Sequence, residues 1–314
     1  MPLTAQDVDR FEAARPRMEA IAYRLLGSAS DAEDVVQETF LRWQHADVER
    51  IEVPEAWLTK VLTNLCLNQL TSARARRETY VGQWLPEPLL APDPMLGPAD
   101  TAERRESVSY AVLTLMERLS PKERAVYVLR EAFGYSHREI AALLDVTEAA
   151  GQQLFHRAKK HLAEGRARGE VDEAAARRVV EEFLAAATSG RTETLVELLT
   201  ADAVAIGDGG GKVPARTKPF EGALAVAKFL RGLFKPARSK RALVGGSPAI
   251  HLTSANGGPA VVAVLDGRVV GVMCPEVTAD GIAAFRSQAN PDKLRRATEV
   301  WAATEHGEPL FHAF

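Results

Sequence analysis

The chain has 314 residues, which is more than one ordinary hydrophobic core needs and predicts two or three domains. Its 46% hydrophobic and 26% charged residues indicate a folded globular protein, and a net charge of -3 means that any DNA contact must come from local basic patches. No apolar run is long enough to span a membrane and no secretory signal begins the chain, so we expect a cytoplasmic protein. Cys66 and Cys274 lie far apart, which argues against a disulfide framework or a zinc site.

Residues 1–80 are predicted to be helical. Apolar residues recur there at helical spacing: Met18, Ile21, Leu25, Leu26, Val36, Phe40 and Trp43. Residues 30–33 form a predicted capping box for the second helix. On that helix Asp34, Gln37, Glu38 and Leu41 share one face, because they are spaced at i, i+3, i+4 and i+7. A polar stripe of this kind, taken alone, is typical of solvated surface.

A third helix is predicted to begin near Pro54 and to carry Trp57. Amide and guanidinium side chains follow along it: Asn64, Asn68, Arg74, Arg76 and Arg77. Aromatic rings, amides and arginines on adjoining helices suit single-stranded DNA, whose bases stack or enter pockets while its phosphates meet arginine. The residues of this third helix argue against interpreting the polar stripe on the second helix as plain solvated surface.

Residues 81–104 are predicted to form an extended linker. Five prolines exclude a helix there: Pro86, Pro88, Pro92, Pro94 and Pro98. Trp84 and Leu85 lie in the same segment, and exposed apolar side chains of this kind usually have a partner surface.

Residues 105–168 are predicted to be helical and to contain a helix-turn-helix. Capping residues precede three successive helices: Ser120 with Glu123, Ser136 with Glu139, and Thr147. Leu154 and Ala158 are expected to close the core from the third helix, which has the position of a recognition helix in the major groove. Side chains on it that can bind bases or phosphates are Gln152, Gln153, His156, Arg157 and Lys160. The alternative is a three-helix bundle with a solvated basic face.

From residue 171 onward the pattern changes to one or two helices followed by short β-rich runs. Residues 261–265 and 269–273 flank Asp266-Gly267, which predicts a two-residue β-hairpin. Candidate catalytic side chains in this part are Asp202, Asp208, His251 and Glu276. No acid–base pair is evident among them, so we expect no enzyme. Residues 208–212 lack the spacing of a phosphate-binding loop and are expected to form a flexible contact loop.

Residues 31–41, Ala56-Trp57-Leu58 and the helices of 120–162, in that order, resemble regions 2 and 4 of the extracytoplasmic-function sigma factors of the sigma-70 family. Three short motifs resemble the subgroup of these factors that carries a SnoaL-like domain of the nuclear-transport-factor-two-like fold. They are residues 84–88 (Trp-Leu-Pro-Glu-Pro), 208–212 (Asp-Gly-Gly-Gly-Lys) and 290–294 (Asn-Pro-Asp-Lys-Leu).

The resemblance implies a factor that binds the β′ and β subunits of core RNA polymerase and directs them to promoter DNA, without a cofactor. It implies polymerase binding by Asp31, Asp34, Gln37, Glu38 and Leu41. It implies contact with the -10 element and its melted strand by Trp57, Asn64, Asn68, Arg74, Arg76 and Arg77. It implies reading of the -35 element by Gln152, Gln153, His156, Arg157 and Lys160. Gly151 and Gln152 depart from the aliphatic and basic residues frequent at those positions, which puts the -35 preference in doubt.

The resemblance further implies four segments: region 2 over 1–80, the linker over 81–104, region 4 over 105–168, and an α+β, cone-shaped SnoaL-like domain over 171–314. Regulatory contacts between the C-terminal domain and the sigma part are expected at Trp84, Leu85, Pro86, Asp208, Gly209, Gly210, Lys212, Asn290, Asp292 and Lys293. A separate anti-sigma protein would then be unnecessary. The alternative is that these residues pack within their own domains.

Two other functions are compatible with parts of the sequence. A helix-turn-helix transcription regulator with a ligand-sensing domain explains residues 120–162 but not the stripe that ends at Leu41, nor Trp57. An isomerase-like enzyme fused to a DNA-binding adaptor would need Asp202, Asp208 or His251 in a pocket.

Overall fold

A computed structural model describes residues 3–78, 80–97, 106–164, 171–216, 218–235 and 237–313, except for the side chains of residues 73–78 and 243. The chain divides into two compact units. The first consists of Met1–Thr79 and Pro92–Arg166, and the second of Tyr80–Ala91 and Ala167–Phe314. The segment between the two groups of helices therefore belongs to the C-terminal unit. No helix in the described part of the chain is long and apolar enough to cross a membrane.

Three long helices begin the first unit: α1 (Ala5–Leu26), α2 (Ala29–His45) and α3 (Pro54–Glu78). Their apolar faces meet around Phe11, Ile21, Val36, Trp43 and Leu62. Helix α2 begins earlier than predicted, because Ser28, and not Ser30, accepts the capping hydrogen bond from the backbone N–H of Asp31 at 3.1 Å. Gly27 ends α1 in the left-handed conformation, so the cap of α2 follows at the next residue.

Four further α-helices follow in the first unit: α4 (Tyr110–Met116), α5 (Pro121–Tyr127), α6 (His137–Leu144) and α7 (Glu148–Ala163). Both capping boxes predicted for the helix-turn-helix are present, at Ser120 and at Ser136. The buried residues of α7 are Gly151, Phe155, Ala158 and Leu162. Ala158 closes the core as predicted, whereas Leu154 is only partly buried and the neighbouring Phe155 takes the buried position, packing edge-on against His137 at 5.5 Å.

The N-terminal helices and the helix-turn-helix pack together within this unit. Lys60 of α3 pairs with Asp145 at the end of α6 at 2.6 Å, and its neighbour Thr59 lies 3.2 Å from the Tyr135 hydroxyl. The buried guanidinium of Arg124 donates to the backbone carbonyl of Arg24 at 3.3 Å. Both groups of helices therefore contribute to one folded body.

The second unit is an α+β domain, which confirms the predicted fold class. Its helices are α8 (Glu173–Ser189), α9 (Thr192–Glu197), α10 (Ala223–Phe234), α11 (Arg238–Val244) and α12 (Arg295–Ala302). Its strands are β1 (Leu199–Asp208), β2 (Phe220–Glu221), β3 (Ala249–Ala255), β4 (Gly258–Leu265), β5 (Arg268–Thr278), β6 (Gly281–Gln288) and β7 (Phe311–His312).

The seven strands form one mixed sheet in the order β2-β1-β6-β5-β4-β3-β7, in which β1 runs parallel to β6 and the other neighbours are antiparallel. The predicted hairpin joins β4 to β5, with Asp266 and Gly267 both at positive φ as a type I′ turn requires. Helices α8 and α10 close the core over the sheet with Phe183 and Leu230, and Phe285 of β6 joins them from the sheet. This arrangement agrees with the expected SnoaL-like cone.

Candidate functional sites

The predicted stripe on α2 is exposed. Asp34, Gln37 and Glu38 face solvent, Leu41 is 42% exposed, and Asp31 is partly buried at the start of the helix. The opposite side of α2 is buried in the first unit and ends at Trp43. The stripe therefore lies largely on the solvent-exposed side of α2, where Glu38 forms an ion pair with Arg42 at 3.0 Å.

The predicted -10 residues on α3 differ in their accessibility. Trp57 is partly buried and its ring packs against the ring of Trp43 at 5.5 Å, so it helps to fix α3 on α2. Asn64 is partly buried and Asn68 is exposed. The side chains of Arg74, Arg76 and Arg77 lie outside the described part of the structure.

The predicted -35 residues lie together on one exposed side of α7. Gln152, Gln153, His156, Arg157 and Lys160 are all exposed. Arg157 also lies 3.7 Å from Glu123, the residue that completes the capping box of α5. Burial raises the pKa of Glu123, but hydrogen bonds from Ser120 and the positive charges of His161 and Arg157 outweigh it and hold that pKa below its usual value. An ionised Glu123 thus helps to orient Arg157 on the recognition helix.

Asp208, the last residue of β1, is fully buried and accepts five hydrogen bonds. The donors are the Tyr80 hydroxyl (2.7 Å), the backbone N–H of Leu85 (2.9 Å), the backbone N–H of Gly210 (3.0 Å), Gln288 Nε2 (3.2 Å) and Lys293 Nζ (2.8 Å). A buried carboxylate is tolerated when a cation and several donors compensate for its lost hydration. We call this group of six residues, with Asn290, the linker clasp.

The linker clasp also holds the backbone of the linker. Lys293 Nζ donates to the carbonyl of Leu85 at 2.7 Å, and Gln288 Nε2 donates to the carbonyls of Leu85 and Pro86 at 3.3 and 3.2 Å. The ammonium of Lys293 lies 4.1 Å from the centre of the Trp84 ring, a cation–π contact. Lys293 therefore makes an ion pair, hydrogen bonds and a cation–π contact at the same time.

The other end of the same segment pairs with the loop after β3. Leu89 and Asn256 exchange two hydrogen bonds of 3.0 and 2.9 Å, and the backbone N–H of Ala91 donates to the carbonyl of Ser254 at 3.0 Å. Leu85, Leu89 and Leu90 are buried. The segment expected to be an extended linker is thus extended, and from Tyr80 to Ala91 it is fixed to the second unit.

The glycine-rich loop of residues 208–212 is a tight turn against the linker clasp. Gly210 has φ +59, and a Cβ at this position would overlap the amide of Asn290, which donates to the Tyr80 hydroxyl at 2.9 Å. Lys212 pairs with Asp292 at 2.6 Å on the surface of the turn. The structure places all ten predicted regulatory residues in this part of the second unit: Trp84, Leu85, Pro86, Asp208, Gly209, Gly210, Lys212, Asn290, Asp292 and Lys293.

The four candidate catalytic residues do not converge. Asp202 is exposed on β1, whereas Asp208 is committed to the linker clasp. His251 packs edge-on against Trp301 at 4.9 Å, and burial together with the neighbouring His306 and His312 lowers its pKa. Glu276 pairs with Arg286 at 2.6 Å. Each of the four has a structural environment of its own.

Sequence reasoning missed three residues of this region: Tyr80, Asn256 and Gln288. Tyr80 lies at the predicted end of a helical module, and Gln288 lies two residues before the motif that begins at Asn290. Their roles become evident only when residues separated by 128 and 203 positions are brought together.

Two family models match the first unit. Residues 10–76 match the model described as Sigma-70 region 2, and residues 109–162 match the model described as Sigma-70, region 4. The ECF RNA polymerase sigma factor SigJ of Mycobacterium tuberculosis (strain ATCC 25618 / H37Rv) is 36% identical over 301 residues, which cover 92% of this chain and 93% of the relative. The probable ECF RNA polymerase sigma factor SigI of the same species (strain CDC 1551 / Oshkosh) is 35% identical over 191 residues, which cover 60% of this chain and 65% of that relative.

The similarity extends to the fold of both units. The crystal structure of the Mycobacterium tuberculosis extracytoplasmic function sigma factor SigJ aligns with a TM-score of 0.71 and 34% sequence identity. The alignment covers 91% of this chain and 97% of that chain.

Proposed function

The chain belongs to the extracytoplasmic-function sigma factors of the sigma-70 family, which bind core RNA polymerase and direct promoter recognition and transcription initiation, and we propose which of its surfaces perform each step. The α2 stripe docks on the β′ subunit, through Asp31, Asp34, Gln37, Glu38 and Leu41. The observation that carries this assignment is the exposure of Leu41 beside two carboxylates on a helix whose other side is buried. Apolar side chains among charges are typical of a docking surface.

Promoter reading is divided between α3 and α7. Asn64 and Asn68 contact the -10 element with the arginines that follow them, and Trp57 holds α3 in position through its ring contact with Trp43. The exposed side of α7 reads the -35 element, where Arg157 is oriented by Glu123. Guanidinium and amide groups are the side chains that pair bidentately with base edges in the major groove.

The C-terminal domain regulates the factor by holding its linker, without catalysis and without a separate anti-sigma protein. The twelve residues Tyr80–Ala91 form the first part of the connection from α3 to α4 and are held by the linker clasp. Released and extended, they would span about 40 Å, at about 3.3 to 3.6 Å per residue. Holding or releasing the linker therefore sets how far the two sigma modules can separate on polymerase and promoter.

Run-off transcription with core polymerase on a cognate promoter tests this function. The informative variant is Lys293→Met, which keeps the volume of the side chain but removes the ammonium from Asp208 and the Leu85 carbonyl. Lys212→Met is the matched control, because its ion pair with Asp292 is exposed. We expect Lys293→Met to change the transcript yield several-fold and Lys212→Met to leave it nearly unchanged.

Thermolysin, which cuts before large apolar residues, reports linker release in the same samples. Leu85, Leu89 and Leu90 are buried, so cleavage in the linker should be slow in the wild type and fast in Lys293→Met. Fast cleavage with an unchanged transcript yield would contradict regulation through the linker. Failure of the wild type to support promoter-dependent transcription would contradict the function itself.

A further inference from the structure

One segment of the C-terminal unit has a charge opposite to that of the whole chain. Residues 212–241 contain nine basic residues and a single acidic one, Glu221, in a chain whose 39 basic and 42 acidic residues give a net charge of -3. The basic residues are Lys212, Arg216, Lys218, Lys228, Arg231, Lys235, Arg238, Lys240 and Arg241. None of the functions assigned above uses Lys228 or the basic residues that follow it.

The fold places four of these residues along one exposed surface. Helix α10 turns Val226, Ala227, Leu230 and Phe234 into the core, so the positions between them face outward. Lys228 and Arg231 lie on the outer side of this helix, Lys235 follows as its C-cap residue, and Arg238 begins α11; all four are exposed. We call these four residues the basic patch.

Lys240 has a different task from its neighbours. Its ammonium donates to the carbonyl of Lys235 at 2.7 Å and also contacts the carbonyls of Gly232 and Leu233 at the end of α10. It therefore fixes the turn between α10 and α11 and holds the basic patch in one geometry.

The basic patch keeps its charge. Several exposed arginines elsewhere pair with carboxylates one helical turn away, as Arg42 does with Glu38, Arg177 with Glu181 and Arg295 with Glu299. Within the described residues, the four side chains of the patch form no ion pair, and Arg231 donates only to the neutral hydroxyl of Thr192 at 2.8 Å. Uncompensated like charges repel one another, so an anion at this surface would be stabilised.

The residues around the basic patch favour phosphate over a protein partner. Gly232 and Ala237 between the charges and Ala225 and Ser239 beside them are small, and Leu224, 53% exposed one turn before Lys228, adds a single bulky apolar side chain where protein interfaces contain an apolar core. Phosphate contacts need only cations and small neighbours that allow close approach. The seven residue-to-residue steps from Lys228 to Lys235 extend about 10 Å at the helical rise, a length over which duplex DNA presents about six phosphate charges.

We propose that the basic patch binds the phosphate backbone of duplex DNA flanking the promoter elements, independently of base sequence. The proposal rests on the sigma-factor function proposed above, since that function brings DNA to the protein. The C-terminal domain then adds affinity for the promoter region while α3 and α7 select the sequence. Its contribution should decline steeply with salt, because binding to phosphates releases counterions.

The first test compares two triple variants in holoenzyme assembled with core polymerase. Lys228→Gln, Lys235→Gln and Arg238→Gln together remove three charges of the patch, and Arg178→Gln, Arg268→Gln and Arg295→Gln remove three exposed charges elsewhere in the same unit. The dissociation constant for a promoter fragment with long flanking duplex is measured from about 50 to about 200 mM KCl, a range over which counterion release changes affinity strongly. We expect the salt slope to fall by about 2 to 3 in the patch variant, about one per lost phosphate contact, and to stay unchanged in the control.

Equal slopes for the two variants would overturn the proposal. Core binding and run-off transcription are measured separately on the same samples. Equal salt slopes would therefore contradict DNA binding by the basic patch without contradicting the sigma-factor function. Loss of core binding in the patch variant alone would place the patch against polymerase and would likewise overturn the assignment to DNA.

The second test identifies the partner by cross-linking. Arg238→Cys carries a photoreactive azide on its thiol; the native Cys66 and Cys274 are buried, and burial raises the pKa of both thiols, so labelling is selective. We expect cross-links to DNA strands in the promoter complex at positions outside the -10 and -35 elements. Cross-links to a polymerase subunit in place of DNA would overturn the proposal.

Discussion

Carboxylates serve opposite purposes on α2 and in the linker clasp. Asp34 and Glu38 are exposed, and Glu38 has a single ion pair within its own helix. Asp208 is 0% exposed, and five donors surround it. A solvated carboxylate adds little to stability and stays available to another molecule, whereas a buried one is committed to the fold because it cannot be left unpaired. The exposed carboxylates are therefore available to bind a partner, whereas the buried carboxylate stabilises the fold.

Removing the buried carboxylate should have the largest effect on stability. Asp208→Ala deprives five donors of their acceptor and removes the carboxylate paired with the ammonium of Lys293, whose side chain is 10% exposed. We expect the C-terminal unit to lose about 3 to 5 kcal/mol, as is usual when one member of a buried ion pair is deleted. Thermal unfolding of the full-length protein measures this loss.

Asp202→Ala is the matched control, because Asp202 is exposed on the same strand. It should change the free energy of unfolding by no more than about 0.5 kcal/mol. Equal melting temperatures for the two variants would show that the linker clasp does not stabilise the domain.

Reversing the charge of the exposed carboxylates should strongly weaken binding to core polymerase and should change the stability of the fold only slightly. Asp34→Lys with Glu38→Lys places two positive charges where the polymerase is proposed to accept negative ones, and we expect affinity for core to fall about 100-fold or more. Native gel titration with core polymerase provides the measurement. The control pair Asp9→Lys and Glu12→Lys makes the same charge change on the exposed side of α1. If both pairs bind core equally well, the α2 stripe is only solvated surface.

Two single substitutions should separate the promoter-reading surfaces. Arg157→Ala should weaken -35 recognition by about 1 to 3 kcal/mol, the usual value of a bidentate base contact. Asn64→Ala should reduce opening of the -10 element while -35 binding stays nearly intact. Footprinting and permanganate reactivity measure the two steps, and exchanged phenotypes would reverse the assignment of α3 and α7.

The smallest effect is expected inside the recognition helix. Gly151 is buried in α7, yet the nearest atom to a Cβ at this position would be the His137 carbonyl oxygen at 4.0 Å, an ordinary van der Waals contact. Gly151→Ala should therefore stabilise the first unit by up to about 1 kcal/mol. Gly134→Ala, at φ +72, should destabilise it by about 1 to 2 kcal/mol although no atom crowds that site. Calorimetric melting in which both alanines shift the transition in the same direction would contradict this account.

The sequence predicted best those features that are decided within a few residues. The capping boxes at Ser120 and Ser136 and the turn at Asp266 are local, since each depends on hydrogen bonds or φ angles inside one turn, and each is present in the structure. The start of α2 was misplaced because two serines, Ser28 and Ser30, both suit a cap, and the end of α1 decides between them.

The linker clasp could be predicted only in part. The family resemblance identified Asp208, Asn290 and Lys293 but left open whether they contact the sigma part or pack within their own domain. Their partners on the linker are 123 to 210 residues away in sequence, and no periodicity or spacing encodes such pairing. Tyr80 was missed for the same reason. The roles assigned to the α2, α3 and α7 side chains stay predictions.

The sequence separation within the linker clasp also has a consequence for synthesis on the ribosome. The contact between Leu85 and Lys293 cannot form until Lys293 is translated, 208 residues later. At a synthesis rate of about 5 to 20 residues per second, the linker lacks this contact for about 10 to 40 seconds. During this time the helices on either side of the linker can already have emerged and folded. A chain that ends prematurely cannot form the linker clasp. Translation of the last residues therefore determines whether the linker is held when the factor leaves the ribosome.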